Sequence, residues 1–170
     1  MEKKLILLEG IPGSGKSTFA RFISIQLQRN GYQSLLFHET TYDHPIILSD
    51  SIKDENMWIE AYLKRWHTFL NRQFDNNSVI VMESVLFQNP ILNLLNKDVA
   101  RERILSLIKE LCLMTSQCSV SLIFFHQKDT ITAIDNMIKS RGGSEFLNRK
   151  YEEFKNEKYY ESKESRTPTT

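Results

Sequence analysis

Cysteine is scarce in this chain. Cys112 and Cys118 have neither the C-x-x-C spacing of zinc sites nor the density of a secreted disulfide framework. A disulfide-stapled domain is excluded, and both are expected to be reduced and buried as small apolar residues. Net charge is nearly missing as well. Twenty-two Lys and Arg stand against twenty-one Asp and Glu, so no broad basic field is present to draw the chain to nucleic acid or anionic lipid. Neither partner is expected, and a ligand must be held by individually placed charges. Long apolar runs are also absent. "MEKKLILLEG" opens like a signal peptide, but its run stops at Glu9 after four apolar residues, and no later stretch reaches membrane-spanning length. A soluble, cytoplasmic protein is expected. Internal repeats and low-complexity linkers are lacking too.

What is present suits one globular domain. The chain has 170 residues, of which 41% are hydrophobic, enough for one sizeable core and too few for two. Short apolar runs alternate with longer segments of helical period, the pattern of an α/β sheet with crossover helices. Strands are expected at 4–8, near 33–39, at 78–83 and at 119–125, with helices at 16–29, 54–74 and 98–114. "SVLFQNP" reads as irregular, with Pro90 suited to a helix start. Two polar helices follow, broken at Gly142-Gly143, and no fifth apolar strand is legible. One domain over 1–164 is expected, with 165–170 a disordered tail.

The most informative stretch is "GIPGSGKS", Gly10 to Ser17, which matches G-x-x-x-x-G-K-[ST]. Successive backbone N–H groups in such a loop form an anion cradle, and the following helix adds its positive end. Gly10, Gly13 and Gly15 would let a phosphate approach closely, and Ser14 is expected to bind the nucleotide with them as part of the same loop. Lys16 would reach the β- and γ-phosphates, Ser17 would ligate Mg²⁺ and Thr18 would meet the α-phosphate. ATP and Mg²⁺ are therefore the expected cofactors. The D-x-x-G and N-K-x-D segments of switch GTPases and the S-G-G-Q signature of ABC ATPases do not occur.

Carboxylates stand at two further strand ends, where ligands gather in parallel sheets: Glu39 and Glu83. "KSRGG" places Lys139 and Arg141 at a helix end before a flexible glycine pair, where closure would bring a cation over a transferring phosphoryl group.

Together these residues resemble the small-molecule kinase branch of P-loop proteins, which holds nucleoside and nucleotide kinases and antibiotic phosphotransferases. "EGIPGSGKST", "DHP" at Asp43 to Pro45 and "ESVLFQNP" at Glu83 to Pro90 also resemble a group of uncharacterised bacterial P-loop proteins. The likeness runs over roughly the first 150 residues. It implies a three-layer P-loop NTPase fold with a central parallel sheet in the order 2-3-1-4, a helical lid and a C-terminal helix. It also implies that Glu39 accepts the acceptor hydroxyl proton, that Glu83 holds Mg²⁺ through water, and that Arg141 neutralises γ-phosphate charge. Arg149 and Lys150 are weaker lid candidates. Deoxynucleoside kinases follow the strand-end glutamate with arginine, whereas Ser84 stands here.

On the acceptor side the sequence leaves alternatives open. Trp58, Tyr62, Trp66 and Phe69 share one helix face and either wall a pocket or pack a core. His44 has the residue type that titrates near neutral pH, and Gln88 and Asn89 offer neutral hydrogen bonds. Two functions fit: an Mg-ATP-dependent kinase of a small hydroxylated or phosphorylated metabolite, or a nucleotide-binding sensor or switch without transfer. A small-molecule substrate is the expected partner. A homodimer is allowed, with no signal for or against it.

Overall fold

A computed structural model describes residues 3–49 and 51–160. Its elements are β1 (Lys4–Gly10), α1 (Lys16–Arg29), β2 (Gln33–Phe37), α2 (Glu55–Leu70), β3 (Ser78–Glu83), α3 (Gln88–Asn96), α4 (Arg101–Thr115), β4 (Ser119–Phe125), α5 (Thr130–Ser140) and α6 (Ser144–Phe154). The strands pair in parallel in the order β2-β3-β1-β4. This is the expected three-layer α/β arrangement of P-loop type. The tail at 165–170 lies outside the described residues.

Alternation along the strands decides which layer each helix joins. Leu5 and Leu7 of β1 and Ile80 and Met82 of β3 face the larger core, with Trp58, Tyr62, Trp66 and Phe69 of α2 and Leu107 and Leu111 of α4. Leu8 and Val81 face the other way, onto Ala20 of α1. Both faces of β3 are therefore covered, and all six of its residues are buried, as a central parallel strand requires. No helix among the described residues is long and apolar enough to cross a membrane.

Register brings the chemistry together. Leu8 pairs with Glu83 and Phe37 with Met82, so the carboxyl ends of β1, β2 and β3 finish side by side and His38 and Glu39 emerge beside Glu83.

Several expected boundaries shift, for local reasons. α2 starts one residue later than expected, because the Asp54 carboxylate caps it by accepting from the Met57 amide at 2.9 Å. It ends at Leu70 rather than 74. The segment read as irregular contains α3, and the helix expected from 98 begins at Arg101. Asp98 takes a left-handed conformation, φ 56°, which breaks the helical path between α3 and α4. α6 stops at Phe154, short of the long polar helix expected there. Cys112 is exposed and Cys118 half-buried. α4 buries Ile104, Leu107, Leu111 and Thr115, and Cys112 falls one step off that stripe, so its expected burial is corrected.

The aromatic face of α2 is core. Trp58, Tyr62, Trp66 and Phe69 are each at most 1% exposed, so none walls a pocket. Trp58 and Tyr62 stack with ring centroids 4.7 Å apart, and the Tyr62 hydroxyl donates to the Val85 carbonyl at 2.5 Å. Burial raises the Tyr62 pKa, so the phenol keeps the proton this bond needs. The helix thus acts on the site indirectly, by anchoring the segment between Glu83 and Gln88.

Candidate functional site

The loop between β1 and α1 is shaped by glycines that other residues could not replace. Gly10 has φ 146°, and a Cβ there would stand 2.8 Å from the Phe125 carbonyl oxygen of the neighbouring strand. Gly13 has φ 79°, and its Cβ would meet Met137 Cβ and Cγ at 2.6 Å. The second contact matters more for function, since it presses α5 directly onto the loop.

Gly15 caps α1 in a left-handed conformation and has no side chain to satisfy the first turn. The first α-helical bond runs from the Phe19 amide to the Gly15 carbonyl, so the amides of Lys16, Ser17 and Thr18 precede the internal ladder. Orphan amides at the positive end of a 14-residue helix attract an anion. They open into a cleft of about 550 Å³ lined by loop residues 12, 13 and 15–18, by Glu39, and by Gln127, Ala133, Asn136, Met137, Ser140 and Arg141. Gly13, Gly15, Lys16, Ser17, Thr18, Glu39 and Arg141 are thereby brought to one space. Gly10 and Ser14 are not among its walls. The Ser14 amide closes a turn onto the Ile11 carbonyl at 3.3 Å, and its hydroxyl is buried without a partner among the described residues.

Lys16 is 5% exposed. Its ammonium donates to the carbonyls of Gly10 at 3.0 Å and Ile11 at 2.9 Å, and to Gln88 Oε1 at 2.7 Å. Burial lowers its pKa. Glu39, Glu83 and Glu9 oppose that effect, and Arg141 adds to it.

Glu83 is fully buried. Its carboxylate accepts from Ser17 Oγ at 2.8 and 3.2 Å and from the Glu39 amide at 3.3 Å, with His38 Nε2 at 3.0 Å. His38 Nδ1 accepts from the Thr40 amide at 3.2 Å, which puts the ring proton on Nε2, facing Glu83. A serine hydroxyl beside a buried carboxylate is a hard-oxygen donor pair, the chemistry Mg²⁺ prefers. The residues therefore fit the expected metal. Ser84 is fully buried at φ 63° and is not a cleft residue.

Glu39 differs from Glu83 in being left largely free. Among the described residues its carboxylate meets only a long contact from Gln88 Nε2, at 3.5 Å, and it lines the cleft. Arg141 lies 5.6 Å from the Phe146 ring centroid and Arg149 5.5 Å from the same centroid. Only Arg141 borders the cleft.

Two residues at the site had no assigned role in the sequence reading. His38 gave no signal beyond its place near a strand end. Glu9 did: an acid closing a buried strand carries a high cost unless paired. It is fully buried and accepts from the Leu86 amide at 2.6 Å and the Gln88 amide at 3.0 Å. Burial still raises its pKa, partly offset by those amides and by Lys16.

His44 is corrected. Its Nδ1 accepts from the amides of Ile46 and Ile47, both at 3.0 Å, and burial followed by the Arg65 charge lowers its pKa to about 4. It does not titrate near neutrality. Asn89 accepts from the Asn93 side-chain amide at its backbone carbonyl and its Oδ1, and it is not among the cleft walls.

Comparison with solved structures places this architecture among known folds. The crystal structure of APE1195 aligns over 91% of this chain and 75% of its own, at 15% identity and a TM-score of 0.52. Thymidylate kinase from Candida albicans aligns over 86% and 77%, at 16% identity and a TM-score of 0.48. A variant of the APS kinase CysC from Mycobacterium tuberculosis aligns over 85% and 98%, at 13% identity and a TM-score of 0.40. No family model matches the sequence, and no curated protein matches it. Likeness at these identities establishes the fold alone.

Proposed function

We propose that this chain is a cytoplasmic, single-domain Mg-ATP-dependent kinase that phosphorylates a small hydroxylated or phosphorylated metabolite, of nucleoside, nucleotide or antibiotic-like type. The observation that carries the reading is convergence. Uncapped amides of α1, the Lys16 ammonium, the free Glu39 carboxylate and the Arg141 guanidinium border one cleft. A triphosphate needs the first two, and transfer to an alcohol needs the last two.

The loop amides and Lys16 hold the phosphates. Ser17 and Glu83 would hold Mg²⁺, which when bound neutralises charge on the β- and γ-oxygens. His38 and the Glu39 amide fix the Glu83 carboxylate, so its lone pairs are oriented in advance. Glu39 orients the acceptor hydroxyl and takes its proton as the oxygen attacks. Arg141 stabilises charge spreading over the transferring group.

The test follows ADP release from Mg-ATP across a panel of nucleosides, nucleoside monophosphates and aminoglycoside-like alcohols, with Lys16→Ala and Glu39→Gln as controls. Turnover that requires one acceptor class and both residues is expected. Tight nucleotide binding with no acceptor-dependent turnover would refute the kinase and assign a nucleotide-binding switch.

A further inference from the structure

An ammonium has three N–H donors, and on Lys16 three oxygens take them: two loop carbonyls and Gln88 Oε1. A phosphate oxygen that recruits this lysine must displace one of the three. The carbonyls of Gly10 and Ile11 belong to the backbone of the loop itself. Gln88 alone can yield by rotating its side chain. Its backbone is separately secured, because its amide donates to the buried Glu9 carboxylate, so the side chain can swing while α3 stays in place. The other end of the same carboxamide points toward Glu39, 3.5 Å away.

We propose that Gln88 is a positioning residue that gates Lys16. A triphosphate captures the lysine by displacing the Gln88 oxygen, and the displaced carboxamide then turns its hydrogen bonding toward Glu39 and the acceptor hydroxyl. This rests on reading Lys16 as the nucleotide ligand. It makes nucleotide binding and readiness of the acceptor side consequences of one side-chain rotation. The contact is also the shortest of the three on Lys16, so it competes measurably with phosphate.

Two substitutions separate gating from a structural role, because they should act in opposite directions. Gln88→Leu removes the competing oxygen and keeps the bulk. A non-hydrolysable ATP analogue with Mg²⁺ should then bind roughly three- to tenfold more tightly by calorimetry. Gln88→Glu puts an anion beside the ammonium, and affinity should fall roughly tenfold or more. A readout without nucleotide comes from acylation of Lys16 by an amine-reactive ester, followed by peptide mass spectrometry. The rate should rise in Gln88→Leu and fall in Gln88→Glu. Both variants should still melt cooperatively, since the Glu9 contact uses only the backbone. Gln88→Leu should melt somewhat below the parent, because one N–H of the buried ammonium loses its partner. Weaker analogue binding in Gln88→Leu, shifts of the same sign in both variants, or unchanged acylation overturns the gate. If binding is abolished by Lys16→Ala yet indifferent to both Gln88 variants, the gate alone falls. A parent chain that binds no analogue at millimolar concentration takes down the gate and the nucleotide reading together.

Discussion

His44 offers the sharpest quantitative test of the packing around the site. It is 4% exposed, its ring stands 5.8 Å from the Phe37 ring, and Arg65 donates to its backbone carbonyl at 3.1 Å. Nδ1 accepts two amide bonds, so the neutral ring carries its proton on Nε2, and Nε2 is buried with no acceptor among the described residues. A second proton would break those amide bonds and add charge beside Arg65. The folded pKa is accordingly lowered from 6.5 to about 4. Below pH 6.5 the unfolded chain takes up a proton that the folded chain refuses. Stability therefore falls as pH drops from 6.5 toward 4, and above pH 7 this group contributes no slope. The full difference corresponds to about 3 kcal/mol at 1.36 kcal/mol per pH unit, of which about 2 kcal/mol is lost between pH 7 and pH 5. His44→Asn keeps a side-chain acceptor for the turn and removes the titration. Urea unfolding of parent and variant across pH 4.5 to 8 isolates the effect as a difference, so other titrating groups cancel. The expected difference curve bends below pH 6.5 in favour of the variant. Parallel curves, or an imidazole NMR titration near pH 6.5 in the folded protein, would refute this account.

Gly13→Ala places a methyl group 2.6 Å from Met137 at a backbone angle that disfavours any side chain. A loss of roughly 1–3 kcal/mol is expected, and a smaller one in a Met137→Gly background, which removes both Cβ and Cγ from the contact. A smaller loss there would show, in thermal melts, that α5 bears on the glycine-rich loop, and an equal loss would mean that backbone strain alone accounts for it. Tyr62→Phe leaves the Val85 carbonyl without its buried donor. It should cost about 1–3 kcal/mol in urea unfolding, and a neutral result would mean that water replaces the phenol.

The strands were legible because each is a short apolar run buried by crossover helices. Hydrophobic content sufficed to find "SVIVME" even though its last residue is charged. α3 was obscured because "QNPILNLLN" is short, begins with polar residues and buries only Pro90 and Leu94. The glycine-rich loop between β1 and α1 could be placed from spacing alone, since its shape lies in the backbone. The aromatic face of α2 could not be assigned, because period shows that four rings share a side without showing which side is covered. His44 misled for a related reason: its residue type suggests titration near neutrality, but two amides and the loss of solvent decide the outcome.

Three glutamates end or follow neighbouring strands at the same edge of the sheet, and sequence treats them as equivalents. Their surroundings separate them. Glu9 commits its oxygens to the Leu86 and Gln88 amides at the entry to α3 and serves the scaffold. Glu83 is buried but turned toward Ser17, with His38 and the Glu39 amide holding it, so its charge is oriented at the place a metal would need it. Glu39 faces the cleft with one long hydrogen bond. A carboxylate with several strong donors is held in one orientation, while a weakly bonded one can turn. The order in which β1, β2 and β3 end, set by the Leu8–Glu83 and Phe37–Met82 register, thus sorts three identical side chains into a structural anchor, a candidate metal holder and a candidate base.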